Sequence, residues 1–229
     1  MRIVDDPAGV VVERLAQAAR AGDHIVLTGG STPRAAYERV AESGADWSDA
    51  TIWFGDERCV PPEHEQSNYG MAEKALLSRI QPAAVHRMRG ELGPEDGARD
   101  YERQLEEAFG GDLPQFDLLL LGLGPDAHCA SLFPNDPALG ERARTAVGVE
   151  TPGMAPLVSR ISLTLPVLNA AREVVFLVAG EDKAEAVARA FGGLRPGPEA
   201  PASLVRPADG TLTVVLDEAA AQHLPRGGA

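Results

Sequence analysis

Short apolar runs alternate with amphipathic stretches along this 229-residue chain, and the alternation predicts strands and helices in turn. The clearest run covers residues 116–121, where four consecutive leucines have the length and bulk of a strand buried on both faces. Further strands are predicted from the apolar runs at residues 24–28, 51–54, 173–178 and 211–216, with shorter extended segments at 2–4, 85–88 and 160–164.

Between these runs, apolar residues recur at every third or fourth position, which is the spacing of one helix face. In residues 7–20 that face consists of Val11, Leu15 and Ala18. Other helices are predicted at residues 34–42, 68–80, 94–109, 165–171, 182–191 and 217–223. Strands that alternate with helices in this way predict an α/β fold built on one doubly wound, mostly parallel sheet flanked by helices.

Nothing in the sequence marks a boundary between domains, so we expect a single domain over residues 1–229. Residues 135–156 hold scattered Pro, Gly and charged residues and are predicted to be a long surface excursion that folds over the site. The tail at 224–229 is expected to be disordered. The absence of a signal peptide, and of more than two cysteines (Cys59 and Cys129), indicates a cytoplasmic protein without a disulfide framework.

The 34 acidic and 21 basic side chains give the chain a formal charge of −13. A surface of that sign repels nucleic acid and anionic lipid, and no apolar run approaches membrane-spanning length. We therefore expect neither nucleic acid nor a membrane as a partner, and a monomer or a homodimer. An anionic small substrate would need a local basic pocket to receive it.

Candidate chemistry lies where the leucine run ends. The sequence Gly-Leu-Gly-Pro at 122–125 stops the strand, and Asp126 and His128 follow within three residues. In a parallel sheet, the loop that leaves the carboxyl end of a strand is where ligands bind. An isolated Asp-x-His is more often an ordinary turn with a solvated histidine than a ligand site. Other parts of the sequence are needed to distinguish the two interpretations.

Two further strand ends carry candidate binding residues. After the strand at 24–28 comes Gly-Gly-Ser-Thr-Pro, in which Thr32 is a suitable N-cap and Pro33 suits the first helical position. The backbone N–H groups at the start of such a helix form a seat for phosphate, although plain capping explains the same residues. The charged sequence Asp-Glu-Arg at 56–58 follows the strand at 51–54 and either lines the same crevice or forms a solvated corner.

Six sequence blocks occur in the order found in one known family: LTGGSTPRAAYE, FGDERCVPPEHEQSN, LLLGLGPDAHCASLFP, SRISLTLPVLNAA, AGEDKAEA, and PASLVRP followed by LTVVLDEAAA. By these blocks the chain resembles the 6-phosphogluconolactonase family of the pentose phosphate pathway, which is related to the glucosamine-6-phosphate deaminases. DERCVP and HCASLFP are the most specific parts of the match. The resemblance implies a Rossmann-like α/β sandwich that hydrolyses 6-phospho-D-glucono-1,5-lactone to 6-phospho-D-gluconate without a metal or organic cofactor.

The chemistry of lactone hydrolysis suits the residues at these strand ends. An imidazole with an ordinary pKa of ~6.5 can take a proton from water and return it to the leaving ring oxygen, which makes His128 the candidate base. Asp126 would orient the imidazole or the water. Arg58 would meet the developing negative charge, and Asp56 would help to hold that arginine.

The resemblance also implies a site for the substrate's phosphate. Its residues would be Gly30, Ser31, Thr32, Arg160 and Lys183. Such a site supplies the basic pocket that the acidic surface otherwise lacks. Without the resemblance, Arg160 and Lys183 would be interpreted as ordinary surface charge.

One residue departs from the family pattern. Members usually place glycine between the Asp and the His of this loop, where the present chain has Ala127. If the backbone at that position has a positive φ, alanine costs about 1 kcal/mol and can shift the loop. If φ is negative, nothing is lost.

Other chemistries fit the sequence less well. Ser31 and Ser131 lie outside a G-x-S-x-G turn, so a serine triad lacks its elbow. Cys129 directly follows His128 in the chain and is predicted to be a packed thiol. The five histidines show no paired metal-ligand spacing, so no metal is expected.

Two alternative functions remain open. Glucosamine-6-phosphate deaminases carry Asp-Glu-Tyr where this chain has Asp-Glu-Arg, and a catalytic Glu after the Asp-Gly-His loop, whereas residues 130–134 here supply no acid. The second alternative is a non-catalytic sugar-phosphate sensor built on the same fold. Such regulators carry a DNA-binding helix-turn-helix segment, and only a few residues precede the first predicted helix here.

Overall fold

The computed structural model describes residues 1–225 and places strands and helices in alternation along them. The strands are Arg2–Ile3 (β1), His24–Leu27 (β2), Thr51–Phe54 (β3), Asp56–Arg58 (β4), Ala84–Val85 (β5), Leu118–Leu121 (β6), Ala146–Val149 (β7), Arg160–Leu163 (β8), Glu173–Val178 (β9) and Thr211–Leu216 (β10). The α-helices are Pro7–Ala21 (α1), Ser31–Val40 (α2), Asn68–Ala75 (α3), Pro94–Phe109 (α4), Leu165–Ala170 (α5), Ala184–Phe191 (α6) and Glu218–Ala221 (α7).

Seven of the strands form one sheet in the order β1-β10-β9-β6-β2-β3-β5, and every neighbouring pair is parallel. From β2 the sheet extends in one direction through β3 to β5. From β6 it extends in the other direction through β9 to β10. The strand order therefore reverses between β2 and β6, and the loops that leave their carboxyl ends diverge to form a crevice.

Side chains along β6 alternate between two hydrophobic cores. Leu119 and Leu121 join the core that contains α4, α5 and α6, whereas Leu118 and Leu120 join the core that contains α1, α2 and α3. All four leucines are fully buried, and the burial of each contributes about 1.5–3 kcal/mol to stability. The doubly wound α/β fold predicted from the sequence is confirmed.

A second sheet, which the sequence pattern does not predict, lies against this frame. It is antiparallel, in the order β4-β8-β7. Residues 56–58, for which the sequence left open a solvated corner or a part of the crevice, form β4, and Asp56 and Arg58 line the cleft described below. The excursion predicted at 135–156 contains β7. β4 consists of three charged residues, so no hydrophobic alternation indicates a strand there. Its register with β8 sets Arg58 opposite Arg160.

The start of α2 differs from the prediction. Gly30, not Thr32, is the N-cap, so Pro33 is the third helical residue rather than the first. Gly30 has a φ of 117°, a conformation that favours glycine, and this lets the chain enter the helix two residues earlier than the Thr-Pro signal indicates.

Three other boundaries are also corrected. α3 ends at Ala75 rather than at residue 80, and the strand predicted at 85–88 is the shorter β5, which begins at Ala84 and ends at Val85. α6 begins at Ala184 rather than at residue 182, because Glu181–Lys183 form a 3₁₀ turn before the helix, and Lys183 is its N-cap. In the tail predicted to be disordered, Leu224 packs against the core, and residues 226–229 lie outside the described part of the chain.

The carboxylate of Glu57 fastens β4 to the start of α3. It accepts hydrogen bonds from the backbone N–H groups of Arg58, Asn68 and Tyr69 at 2.6, 2.7 and 2.8 Å, and from Oγ of Ser67 at 2.9 Å. Burial raises the pKa of Glu57 in spite of these four bonds. The carboxylate therefore fixes where the backbones of Arg58 and Asn68 stand.

Replacing Glu57 with Gln is expected to lower the free energy of unfolding by about 2–4 kcal/mol, because the amide's NH₂ group would face N–H donors with no acceptor between them. Urea denaturation measures the change. Glu63→Gln, at an exposed position in the loop between β4 and α3, is the matched control and should stay within about 0.5 kcal/mol of the parent. Equal effects of the two substitutions would contradict the role given to Glu57.

Candidate active site

A cleft of about 230 Å³ opens where the strand order reverses, at the carboxyl ends of β2 and β6. The loop after β2 contributes residues 28–30, and the loop after β6 contributes residues 122–125 together with His128. The second sheet supplies Arg58 and Arg160. The fold thus brings together chain segments that are more than a hundred residues apart in sequence.

His128 and Asp126 form a hydrogen-bonded pair beside the cleft. Nδ1 of His128 lies 2.5 Å from Oδ1 of Asp126, and the same oxygen accepts the backbone N–H of His128 at 3.1 Å. Burial alone would raise the pKa of Asp126, but the hydrogen bonds and the charge of His128 outweigh it and hold that pKa below its usual value. As a carboxylate, Asp126 can only accept, so the imidazole carries its proton on Nδ1 and Nε2 is left to take another.

Two neighbours hold the imidazole ring in place. A Cβ on Gly124 would lie 2.0 Å from Nδ1 of His128, so only glycine lets the ring lie against the backbone there. On another side, the ring of Phe133 packs at a centroid distance of 4.6 Å. With 19% of the His128 side chain exposed, the ring is packed and still reaches the cleft.

The turn that carries His128 is strained at two alanines. Ala127 has a φ of 69° and Ala130 a φ of 48°, and both are buried. Ala127 therefore has the conformation that costs about 1 kcal/mol relative to glycine. Its N–H donates to the carbonyl of Gly124 at 2.9 Å, and its carbonyl accepts from the N–H of Ala202 at 3.0 Å, so the turn is held from both sides. Strain that the surroundings enforce in this way is typical of functional sites.

Asp56 does not hold Arg58, contrary to the prediction. Its Oδ2 accepts from Oγ of Ser131 at 2.7 Å, and its Oδ1 accepts from Nδ2 of Asn68 at 3.2 Å. Nearer donors thus occupy both carboxylate oxygens. Arg58 instead donates from Nη1 to the carbonyl of Gln66 at 2.7 Å. Asp56 therefore links the loop after β6 to the start of α3.

The side of the cleft formed by the second sheet is basic. Arg160 is 4% exposed, and its Nε and Nη2 donate to the carbonyls of Val158 and Pro156 at 3.0 and 2.8 Å. Burial and the neighbouring charge of Arg58 lower the pKa of Arg160. Lys183 also lines the cleft. Two guanidinium groups on neighbouring strands repel each other, so this part of the cleft favours an anion.

Three of the five residues predicted to bind phosphate line the cleft, namely Gly30, Arg160 and Lys183. The side chains of Ser31 and Thr32 do not line it. Both residues lie in the first turn of α2, whose backbone N–H groups have no intrahelical acceptor. An anion next to Gly30 would therefore be held by the backbone of this turn rather than by the two hydroxyl groups.

Sequence reasoning missed Asn68, Phe133 and Met154, which also line the cleft. Met154 comes from the segment after β7, so the excursion predicted at 135–156 does reach the site. Asn68 and Phe133 stand in the DERCVPPEHEQSN and HCASLFP blocks, but nothing in the pattern distinguishes them from packing residues. In residues 1–225 no three His, Cys, Asp or Glu side chains are placed to hold a metal ion. Over the same residues, no helix is long and apolar enough to span a membrane.

Comparisons with known proteins identify relatives over nearly the whole chain. A family model described as glucosamine-6-phosphate isomerases/6-phosphogluconolactonase matches residues 2–214. A 6-phosphogluconolactonase of Streptomyces coelicolor is 43% identical over 92% of this chain and 85% of its own length. A human 6-phosphogluconolactonase is 44% identical, with shares of 90% and 82%. The solved structure of 6-phosphogluconolactonase from Trypanosoma cruzi superposes with a TM-score of 0.84 at 28% identity, covering 97% of this chain and 96% of its own.

Replacing Gly124 with Ala is expected to break the hydrogen bond between His128 and Asp126, because the new methyl group would displace the ring. In a crystal structure of this variant, Nδ1 and Oδ1 should be separated by more than about 3.5 Å. Gly140→Ala is the control, since a Cβ there meets nothing within 4 Å, and it should leave the pair intact. An unchanged pair in Gly124→Ala would show that the ring position does not depend on this glycine.

Proposed function

The chain belongs to the family of glucosamine-6-phosphate isomerases and 6-phosphogluconolactonases, and we propose that within it the chain hydrolyses 6-phospho-D-glucono-1,5-lactone to 6-phospho-D-gluconate. It is then a carboxylic ester hydrolase of the oxidative pentose phosphate pathway. The observation that supports this most directly is the paired His128 and Asp126 at the edge of a basic cleft.

The family includes two reactions, and two features of this chain favour the lactonase. Arg58 stands in the cleft where the deaminases carry tyrosine. The residues that follow His128 as far as Pro134 include no carboxylate, so the acid that a deaminase uses after this loop is missing. The relatives reported above from Streptomyces coelicolor, human and Trypanosoma cruzi are all named 6-phosphogluconolactonase.

The first step is the attack of water on the lactone carbonyl. Asp126 accepts a hydrogen bond from the protonated Nδ1 of His128, so Nε2 is free to accept a proton from the attacking water. The oxygen of that water forms a bond to C1, and the former carbonyl oxygen gains a negative charge. The Arg58 guanidinium stabilises this oxyanion, which it binds more strongly than the neutral carbonyl.

The second step is the collapse of the tetrahedral intermediate. The bond between C1 and the ring oxygen breaks, and His128 returns its proton from Nε2 to the departing oxygen. The products are the open-chain carboxylic acid and the enzyme in its starting protonation state. No metal or organic cofactor takes part in either step.

The phosphate of the substrate would be held at the basic side of the cleft. Arg160 and Lys183 supply charge, and the first turn of α2 next to Gly30 supplies N–H donors. A remote anchor of this kind fixes the distance from C6 to the reacting carbonyl, so part of its binding energy appears in kcat.

A cytoplasmic location, one domain and a monomeric or homodimeric state are proposed with this function. The single parallel sheet supports the one domain, and the small number of cysteines supports the location. The acidic surface also supports a small phosphosugar lactone, rather than nucleic acid or membrane, as the partner, because its charge repels polyanions while the cleft is locally basic.

His128→Asn is expected to lower the rate of lactone opening by roughly 10²–10⁴-fold, the usual size of a general-base contribution. Binding of 6-phosphogluconate should survive, because other residues hold its phosphate. The rate is measured with freshly generated lactone near or below neutral pH, after subtraction of spontaneous opening. A folded variant that binds product and turns over like the parent would refute the assignment of the base.

The parent's activity should fall towards acid pH, because only the neutral imidazole of His128 can act as base. The pKa of Asp126 is held below its usual value, so its carboxylate is charged near neutral pH, where it stabilises the imidazolium. Asp126→Asn removes this charge, so the fall in activity on the acid side of the pH–rate profile should occur at lower pH, and kcat should be reduced. If the acid side of the profile is the same in Asp126→Asn as in the parent, the pairing of Asp126 with His128 is contradicted.

Lys183→Ala is expected to lower kcat/KM by about 10–100-fold, since a charge-assisted hydrogen bond to the phosphate is lost. Inorganic phosphate should compete with the lactone in the parent and compete less in this variant. The chain has one other lysine, the exposed Lys74 outside the cleft lining, and Lys74→Ala is the matched control. Parental kinetics and parental phosphate inhibition in Lys183→Ala would show that the phosphate binds elsewhere.

A further inference from the structure

Asn68 is a buried side chain of the cleft whose amide oxygen lacks a hydrogen-bond partner. The residue is 2% exposed and lines the cleft. Within residues 1–225, no group of the protein donates to its Oδ1. A buried acceptor without a partner is costly, and when it borders a ligand cleft the natural partner is a donor on the ligand.

The orientation of the Asn68 amide is fixed by its other atom. Nδ2 donates to the backbone carbonyl of Asp56 at 2.9 Å and to its Oδ1 at 3.2 Å. Both of these groups can only accept, so the amide cannot be turned over without placing oxygen against oxygen. Oδ1 therefore points away from Asp56, towards Gly29, where an added Cβ would lie 2.0 Å from it.

Gly29 also lines the cleft and has no side chain that could cover this oxygen. A sugar hydroxyl can donate a hydrogen bond to this unmatched acceptor. A phosphate dianion or a carboxylate only accepts, so neither can satisfy Oδ1.

We propose that Asn68 is a specificity-determining residue whose Oδ1 accepts a hydrogen bond from one ring hydroxyl of the sugar lactone. The inference rests on the proposed function for the identity of the ligand. The 1,5-lactone with a phosphate at C6 has free hydroxyls at C2, C3 and C4, and the orientation of Asn68 selects one of them. Asp56 and Glu57 act behind it, since they hold its side-chain amide and its backbone N–H.

The test compares the lactone with its three monodeoxy analogues, which lack the hydroxyl at C2, C3 or C4. In the parent, one analogue should lose about 5- to 100-fold in kcat/KM because it leaves Oδ1 unpaired. In Asn68→Ala, kcat/KM for the same analogue should differ from that for the full lactone by less than about twofold, because both the hydroxyl and the Oδ1 that accepts from it are then absent. Lys74→Ala, at an exposed position outside the cleft lining, is the control and should keep the parent's discrimination.

A merely structural role of Asn68 would leave that discrimination in place. If Asn68→Ala distinguishes all three analogues as strongly as the parent does, or if Lys74→Ala loses the distinction as well, the proposal is overturned. The parent bound to 6-phosphogluconate provides a measurement that needs no variant. A crystal structure should place one sugar hydroxyl within about 3.2 Å of Asn68 Oδ1, and a nearest hydroxyl beyond hydrogen-bonding distance would also overturn the proposal.

These measurements separate this inference from the proposed function. If the parent does not accelerate lactone opening, the proposed function fails. The contact with Asn68 is then tested only by the crystal structure with bound 6-phosphogluconate. If 6-phosphogluconate does not bind at all, both fail. If opening is accelerated while no analogue is discriminated against through Asn68, only the inference about Asn68 fails.

Discussion

Asp56 is a buried carboxylate, and three parts of the cleft are fastened to it. The residue belongs to β4 of the second sheet, accepts from Ser131 in the loop after β6, and accepts from Asn68 at the start of α3. Burying a carboxylate is unfavourable unless hydrogen bonds replace its water, and these two side chains do so. The position of the second sheet relative to the strand ends, and with it the position of Arg58 and Arg160, depends on this junction.

The parallel sheet supplies the second requirement, a rigid strand end from which to project the imidazole. β6 is buried on both faces and stops at residues 122–125, after which the chain turns through two alanines with positive φ. The turn places the ring of His128 against Gly124 and its Nδ1 on Asp126. Local strain at Ala127 and the close packing at Gly124 are tolerated because the surrounding contacts hold the turn from both sides.

The sequence predicted the parallel sheet and the loop with His128 because both depend on local signals. A run of leucines indicates a doubly buried strand, and Gly-Leu-Gly-Pro indicates its end. It did not predict β4, because a strand of charged residues is stable only through partners distant in sequence, such as Ser131, which lies 75 residues from Asp56. The same reason explains why Asp56 was paired with Arg58 and why Asn68 was overlooked. At Thr32, a familiar capping signal was overridden by the backbone freedom of Gly30.

The central claim is that this cleft opens a phosphosugar lactone rather than releasing an amine. One protein preparation should be tested in parallel with freshly generated 6-phosphogluconolactone and with glucosamine-6-phosphate, recording lactone loss above the spontaneous rate and ammonia release. The account predicts accelerated lactone opening and no ammonia. Ammonia release at a rate comparable to lactone opening would contradict it.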